Sequence, residues 1–248
     1  GERLVLLSSY ERTVLIFTLK QAILSSTLSC CLAIPISRAL FRRDFLLKEY
    51  LVSFLGIPFI LPTIAAIFGL ILVFGNNGLL NSLLVFLGLP KLTIYGLTGI
   101  LIAHVFFNLP LAVRILLLAW NEIPNEQFKL AASLDFTRAD FFRHIELPML
   151  KSAFPRLFIL IFLVCVTSFS IALTLGGGPS STTLEVAIYQ AVRFQLDFSK
   201  AASLACFQFM MCGSVAFLLL MVGIKNSSFK ALDLKVKINN SSFFKQGI

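Results

Sequence analysis

Apolar residues in this chain run in long blocks, and the charges collect at their edges. A Lys, Arg or Asp at the centre of a membrane helix costs about 2.5–3.5 kcal/mol on the insertion scale, so the gaps between charges mark the segments able to cross a bilayer. Lys20 and Arg38 bound 17 uncharged residues, and this span grows to 13–37 if Lys20 snorkels or faces the protein interior. Between Glu49 and Lys91 lie 41 uncharged residues, too many for one helix, and the turn signal Gly75-Asn76-Asn77-Gly78 divides them. The first part predicts a span over 50–74, in which Pro58 and Pro62 mark kinks. The remainder, 79–89, is too short to cross and predicts an interfacial or re-entrant helix. Three more spans follow at 97–118, 157–175 and 201–224, the fourth ending at the triple glycine 176–178. None shows the alternation, in runs of about ten residues, of a membrane barrel. The expected fold class is an all-α integral membrane protein, a bundle of about five transmembrane helices.

Composition agrees with this reading. The 248 residues are 58% hydrophobic and only 13% charged, with a mean hydropathy of +0.91, where a soluble domain is about 25% charged. The net charge of +9 therefore points to loops facing an anionic lipid leaflet rather than to nucleic acid. Counting Lys and Arg in alternate loops gives 15 on one side and 6 on the other. The richer side, with the segment 119–155 and a polar tail at 225–248, is expected in the cytoplasm, and the segment 1–12 outside. An outside N-terminus with neither a signal peptide nor a preceding helix is expected of an interior or processed piece of a longer chain. The five cysteines lie in apolar stretches without metal-ligand spacing, and the Gly176–Thr183 run lacks the Lys of a phosphate loop, so no metal, nucleotide or catalytic site is expected in this chain.

The cytoplasmic segment 121–149 carries helix punctuation of its own. Pro124 and Asn125 open a first short helix through Glu126, Ala131 and Ala132 to Leu134; Asp135 makes the turn. Thr137-Arg138-Ala139-Asp140 is a capping-box pattern for a second helix, whose Phe141, Phe142 and Ile145 form an apolar stripe and which Pro148 is expected to stop. Such an amphipathic hairpin fits either a partner surface or the lipid headgroups.

Leu130-Ala131-Ala132-Ser133-Leu134-Asp135, nine residues, then Ile145-Glu146-Leu147-Pro148 resembles the EAA signature, E-A-A-x-x-x-G-x(9)-I-x-L-P, of binding-protein-dependent ABC transporter permeases. The spacing matches from Asp135 to Pro148, with Asp135 standing for the signature's Gly; Leu130, standing for its Glu, lies one residue closer to that position than in the signature. Asp tolerates the left-handed turn better than most residues. The stretches 100–110 and 175–191 further resemble the N-terminal half of thiamine transport permeases, with ferric-ion permeases as close relatives.

The resemblance implies a type I ABC importer permease whose cytoplasmic hairpin couples it to ATP-binding subunits. A periplasmic substrate-binding protein would deliver thiamine or thiamine phosphates, and a second permease half, fused, separate or homodimeric, would complete the pathway in a bacterial inner membrane. ATP would be hydrolysed by the partner subunits, with no cofactor in this chain. The coupling residues it implies are Glu126, Ala131, Ala132, Asp135, Ile145, Leu147 and Pro148. Polar residues inside spans are expensive, which makes His104, Asn108, Ser168, Ser170 and Gln208 candidates for the pathway or for interhelical packing. Gly176, Gly177, Gly178, Pro179 and Glu185 are expected at an external gate or a docking face for the binding protein. Permeases for ferric ion or another small solute remain open. A channel or secondary transporter would need acids in the span cores or internal repeats, and neither is visible.

Overall fold

The structure, a computed structural model, describes residues 8–221. The expected tail at 225–248 and the first seven residues of the N-terminal segment lie outside the described residues. The rest of that segment is helical: Ser8 caps α1 (Ser9–Arg42), its hydroxyl accepting from the Glu11 N–H at 3.3 Å while the Glu11 carboxylate accepts from the Ser8 N–H at 2.8 Å. At 1.5 Å per residue this helix is about 51 Å long, well beyond a hydrocarbon core of about 30 Å.

The residues α1 buries show what solvent it was built for. Ala22, Ser26 and Cys30 at four-residue spacing, and beside them Ser25, Ser29, Ala33 and Ser37, face inward, while Ile16, Leu19, Ile23, Leu28, Leu32 and Ile36 are exposed. Large apolar residues outside and small ones inside reverse the order of a soluble helix. In lipid this order is favourable, because small residues let backbones approach closely and the outward leucines lose nothing.

The span expected at 50–74 is broken rather than kinked, into α2 (Lys48–Phe54), α3 (Ile57–Ile60) and α4 (Thr63–Phe74). Pro62 forces the preceding Leu61 to extended angles, φ −69° and ψ 135°. The predicted turn separates α4 from α5 (Leu79–Phe86). Buried Asn81 closes it, donating to the Gly75 and Leu92 carbonyls at 2.8 Å and accepting from the Leu92 N–H at 2.7 Å.

Next comes α6 (Leu97–Asn121), continuous through Pro110, and then the short α7 (Asn125–Ser133) and α8 (Arg138–Phe141). The expected stop at Pro148 does not occur. A wide π turn over Phe142–Glu146, with the Leu147 N–H bonded to the Phe142 carbonyl, leads without interruption into α9 (Leu147–Val166). Pro148 falls in the first turn of α9, where the extra residue of the π turn accommodates its missing N–H. The fourth span accordingly lies nearer the hairpin than the expected 157–175. It ends at Thr167, and α10 (Phe169–Leu175) follows as a separate piece. Beyond the glycines come a 3₁₀ turn, α11 (Leu184–Gln190), a π turn and α12 (Phe198–Met221).

Among the described residues five segments are long and apolar enough to cross a membrane: Ser9–Arg42, Thr63–Phe86 (α4 and α5 together, across their turn), Leu97–Asn121, Arg138–Val166 and Phe198–Leu218. The main core sits where α1, α6 and α9 meet, around Ala33, Val113, Leu116, Trp120, Leu157 and Ile161. Its hairpin end carries α7 and α8; α10 and α11 lie at the opposite end.

Candidate functional site

The hairpin is a preformed unit clamped to the bundle. After α7, the N–H of Phe136 bonds the Ala131 carbonyl at 3.0 Å and that of Asp135 bonds Ala132 at 3.3 Å, the paired bonds of a Schellman turn. Asp135 supplies the left-handed residue, φ 49°. Replacing it with glycine removes the Cβ cost of that conformation and is expected to stabilise the hairpin by about 1 kcal/mol or slightly less; slower amide exchange in α7 is the readout, and unchanged exchange would contradict it. Thr137 caps α8, its hydroxyl donating to the Asp140 carboxylate at 2.6 Å and accepting from the Asp140 N–H at 3.2 Å.

Two clamps fix this unit to the spans. Phe41 of α1 packs against Trp120 of α6 and Phe128 of α7, with ring centroids 6.4 and 6.3 Å apart, and Phe128 meets Phe141 at 5.4 Å. Beneath the aromatic rings, fully buried Glu146 accepts from Arg38 at 2.7 Å and from Arg42 at 2.8 Å. The Arg38 guanidinium also lies over the Phe142 ring, 4.9 Å from its centroid, and Arg42 over Phe141 at 5.5 Å. Each charge is thus paired, and the apolar faces of the guanidiniums are covered.

The expected coupling residues divide by orientation. Ala131 is buried and Ile145 packs on the main core, with Leu147 half-buried beside it; Glu126, Ala132, Asp135 and Pro148 are exposed. The residues that sequence reasoning passed over are Leu130 and Leu134. Leu130 lies on α7 and Leu134 caps its C-terminal end one turn on, and they are 60% and 58% exposed. The signal available was a leucine pair at i, i+4 off the buried stripe of a short polar helix.

The polar candidates inside the spans do not line one passage. His104 and Asn108 are buried between α1, α6 and α9. His104 Nδ1 is 2.8 Å from Ser25 Oγ and Nε2 is 2.6 Å from Ser168 Oγ. The Ser168 hydroxyl donates to the Cys165 carbonyl at 2.8 Å, so it accepts from His104, which assigns the proton to Nε2 and leaves Nδ1 to accept from Ser25. The Cys165 carbonyl has lost its helical partner at the break between α9 and α10. It also accepts from Gln21 at 3.0 Å, so groups from all three spans converge on the broken helix end. Asn108 donates to Cys165 Sγ at 3.2 Å. Ser170 lies half-buried on α10, and Gln208 stands apart on α12, donating to Glu185 at 2.8 Å.

At the opposite end the expected gate residues separate into two concavities. Gly176, Gly177, Gly178 and Pro179 line one of about 440 Å³, with Tyr10, Gln190 and Lys200. Gly177, at φ 73°, passes so near the start of α6 that a Cβ would sit 3.0 Å from that of Tyr95, so only glycine fits. Glu185 faces away from this rim into a second concavity of about 370 Å³, with Phe169, Ile188, Tyr189 and Gln208. Among the described residues no three of His, Cys, Asp and Glu gather closely enough to hold a metal ion.

Comparison with known proteins places these features in context. Residues 28–234 match the model of a family described as binding-protein-dependent transport system inner membrane component. The chain is 44% identical over 204 residues to the thiamine transport system permease protein ThiP of Haemophilus influenzae, and 46% identical over 205 residues to that of Escherichia coli. In both cases the alignment takes in 82% of this chain and 38% of the relative, so the chain spans under two fifths of their length. The fold matches a chain from the crystal structure of a bacterial ABC transporter involved in the import of the acidic polysaccharide alginate, with a TM-score of 0.72 at 12% identity, over 88% of this chain and 79% of that one.

Proposed function

Because this chain belongs to the family of binding-protein-dependent transport system inner membrane components, its membrane bundle is that of an ABC importer permease, and we propose that it translocates thiamine or thiamine phosphates. The substrate reading rests on the identity to the thiamine permeases. In this reading a periplasmic binding protein delivers the solute to the end carrying α10 and α11, and cytoplasmic ATP-binding subunits grip the hairpin. A second permease half completes the pathway.

The observation that carries the coupling role is the pair of bare leucines, Leu130 and Leu134, on a hairpin whose Phe128, Phe142 and Ile145 pack on the main core. A rigid pair of helices transmits the free-energy difference between two states of the groove that holds it, so its mounting must be stiffer than its seat. The Glu146 cluster and the Phe41–Trp120–Phe128–Phe141 stack provide such a mounting. Orientation follows from charge: Arg38, Arg42, Arg43, Arg138 and Arg143 gather around the hairpin end, which the positive-inside rule assigns to the cytoplasm.

The test is ATP hydrolysis in proteoliposomes that contain this chain, the second half and the ATPase subunits, with thiamine-loaded binding protein on the outer face. Stimulation by the thiamine-loaded protein, and not by a ferric-loaded one, is the expected result. Leu134→Lys should reduce that stimulation at least tenfold. It should leave stability within about 0.5 kcal/mol, since the side chain is exposed and a cation suits a helix C-terminus. Undiminished stimulation in this variant would remove the hairpin tip from the coupling surface.

A further inference from the structure

The concavity that holds Glu185 has the chemistry of a recognition site. Glu185 is the sole acidic residue between Glu146 and Asp197. One of its carboxylate oxygens, Oε1, accepts from Gln208, and the Phe169 N–H lies close to the carboxylate, while Oε2 is shielded from solvent and makes no hydrogen bond of good geometry. The contrast with Glu146, saturated by two guanidiniums, is sharp, because a half-satisfied carboxylate is costly to keep away from water. Aromatic rings stand around it. Phe169 and Tyr189 meet at 5.3 Å between centroids with planes inclined 60°, and Phe194 abuts Tyr189 edge-on at 5.9 Å. The space, about 370 Å³, is a shallow concavity open on one side.

We infer that this concavity is a binding site for an organic monocation bearing a flat aromatic ring, with Glu185 as the counter-charge and Phe169 and Tyr189 as the walls. Aromatic faces attract a cation through their quadrupole and stack on a planar ring, and a half-buried carboxylate supplies the opposite charge where water is partly excluded. Gln208 holds the carboxylate in place from α12. Three separate pieces of chain build the site: the first residue of α10, one face of α11 and the middle of α12. Any rearrangement of α11 against α12 therefore opens or closes it. The site deepens the thiamine reading, on which its role in transport rests, by naming the residues that would meet the solute's cationic ring system.

Equilibrium binding of radiolabelled thiamine, and of its neutral tricyclic oxidation product thiochrome, to the complete permease in nanodiscs separates the two ideas. The wild-type protein is expected to prefer thiamine at least tenfold. Glu185→Gln, which keeps the shape and the Gln208 contact, should erase that preference by weakening thiamine alone. Phe169→Leu should weaken both ligands, and Asp44→Asn, an exposed acid at the hairpin end, should change neither. Wild-type affinity for thiamine in Glu185→Gln, or no thiamine binding to the wild-type permease, overturns the site. Binding that depends on Glu185, together with no ATPase stimulation by thiamine-loaded binding protein, keeps the site and overturns the transport reading.

Discussion

Glu146→Ala is expected to lower stability by about 3 kcal/mol, because removing one partner of a buried ion pair leaves the others uncompensated, at a typical cost of about 3–5 kcal/mol. The lower end applies here. The Arg38 and Arg42 side chains are 33% and 25% exposed, so water recovers part of the loss once the carboxylate is gone. Arg42→Ala should cost far less, about 1 kcal/mol, since Glu146 keeps Arg38. Unfolding in mixed detergent micelles checks both values. The ordering of the two variants is the diagnostic result: equal losses would mean that Glu146 is not shared between the two guanidiniums. Replacing Glu146, Arg38 and Arg42 together by apolar residues of similar volume should restore much of the stability. Such a protein would show whether the cluster serves folding alone, because ATPase coupling would then be measurable on a stable bundle.

His104→Ala should produce a loss of similar size by a different route. Truncating a fully buried side chain leaves a cavity worth about 2 kcal/mol, and two interhelical hydrogen bonds in a membrane protein add about 0.6 kcal/mol each. The expected total is close to 3 kcal/mol, most of it from packing. Gln21→Leu should cost about 1 kcal/mol or less, because the Cys165 carbonyl keeps Ser168 as a partner, whereas Ser168→Ala should cost about 2 kcal/mol, since it also strips the buried His104 Nε2–H of its acceptor. The same unfolding assay ranks the three. If Gln21→Leu matched His104→Ala, the carbonyl rather than the imidazole would be the centre of the seam.

The spans were legible because charge cannot be hidden in hydrocarbon, and charge gaps need no knowledge of packing. The left-handed Asp135 and the Thr137 cap were legible because each is decided within six residues. Contacts made across the chain were not. Arg38 and Arg42 lie more than a hundred residues from Glu146, and nothing local distinguishes them from basic residues at a membrane edge. Glu146 itself occupies the variable position of the signature, where pattern reading assigns no role. His104 was singled out as a costly polar group, but its partners Ser25 and Ser168 come from separate spans, and an isolated serine in an apolar run carries no signal. Pro148 misled for a physical reason: proline stops a regular α-helix, and a five-residue π turn just before it removes the conflict. The Glu185 site was half-visible, since its charge stood out while the rings beside it depend on how α10 folds back on α11.

The unbroken run from Arg138 to Val166 makes the hairpin and the seam two ends of one strut. Its 29 residues measure about 43 Å at helical rise, one end held by the Glu146 cluster and the other terminating at the Cys165 carbonyl. Hairpin and seam are thus joined by continuous helix rather than by a loop. The hydrogen bonds at that carbonyl are 2.8 and 3.0 Å long, and neither survives a stretch to about 3.6 Å. Because Gln21 belongs to α1 and Ser168 to the head of α10, two neighbours hold the same atom at the end of the strut, and any shift of that end is felt by both at once.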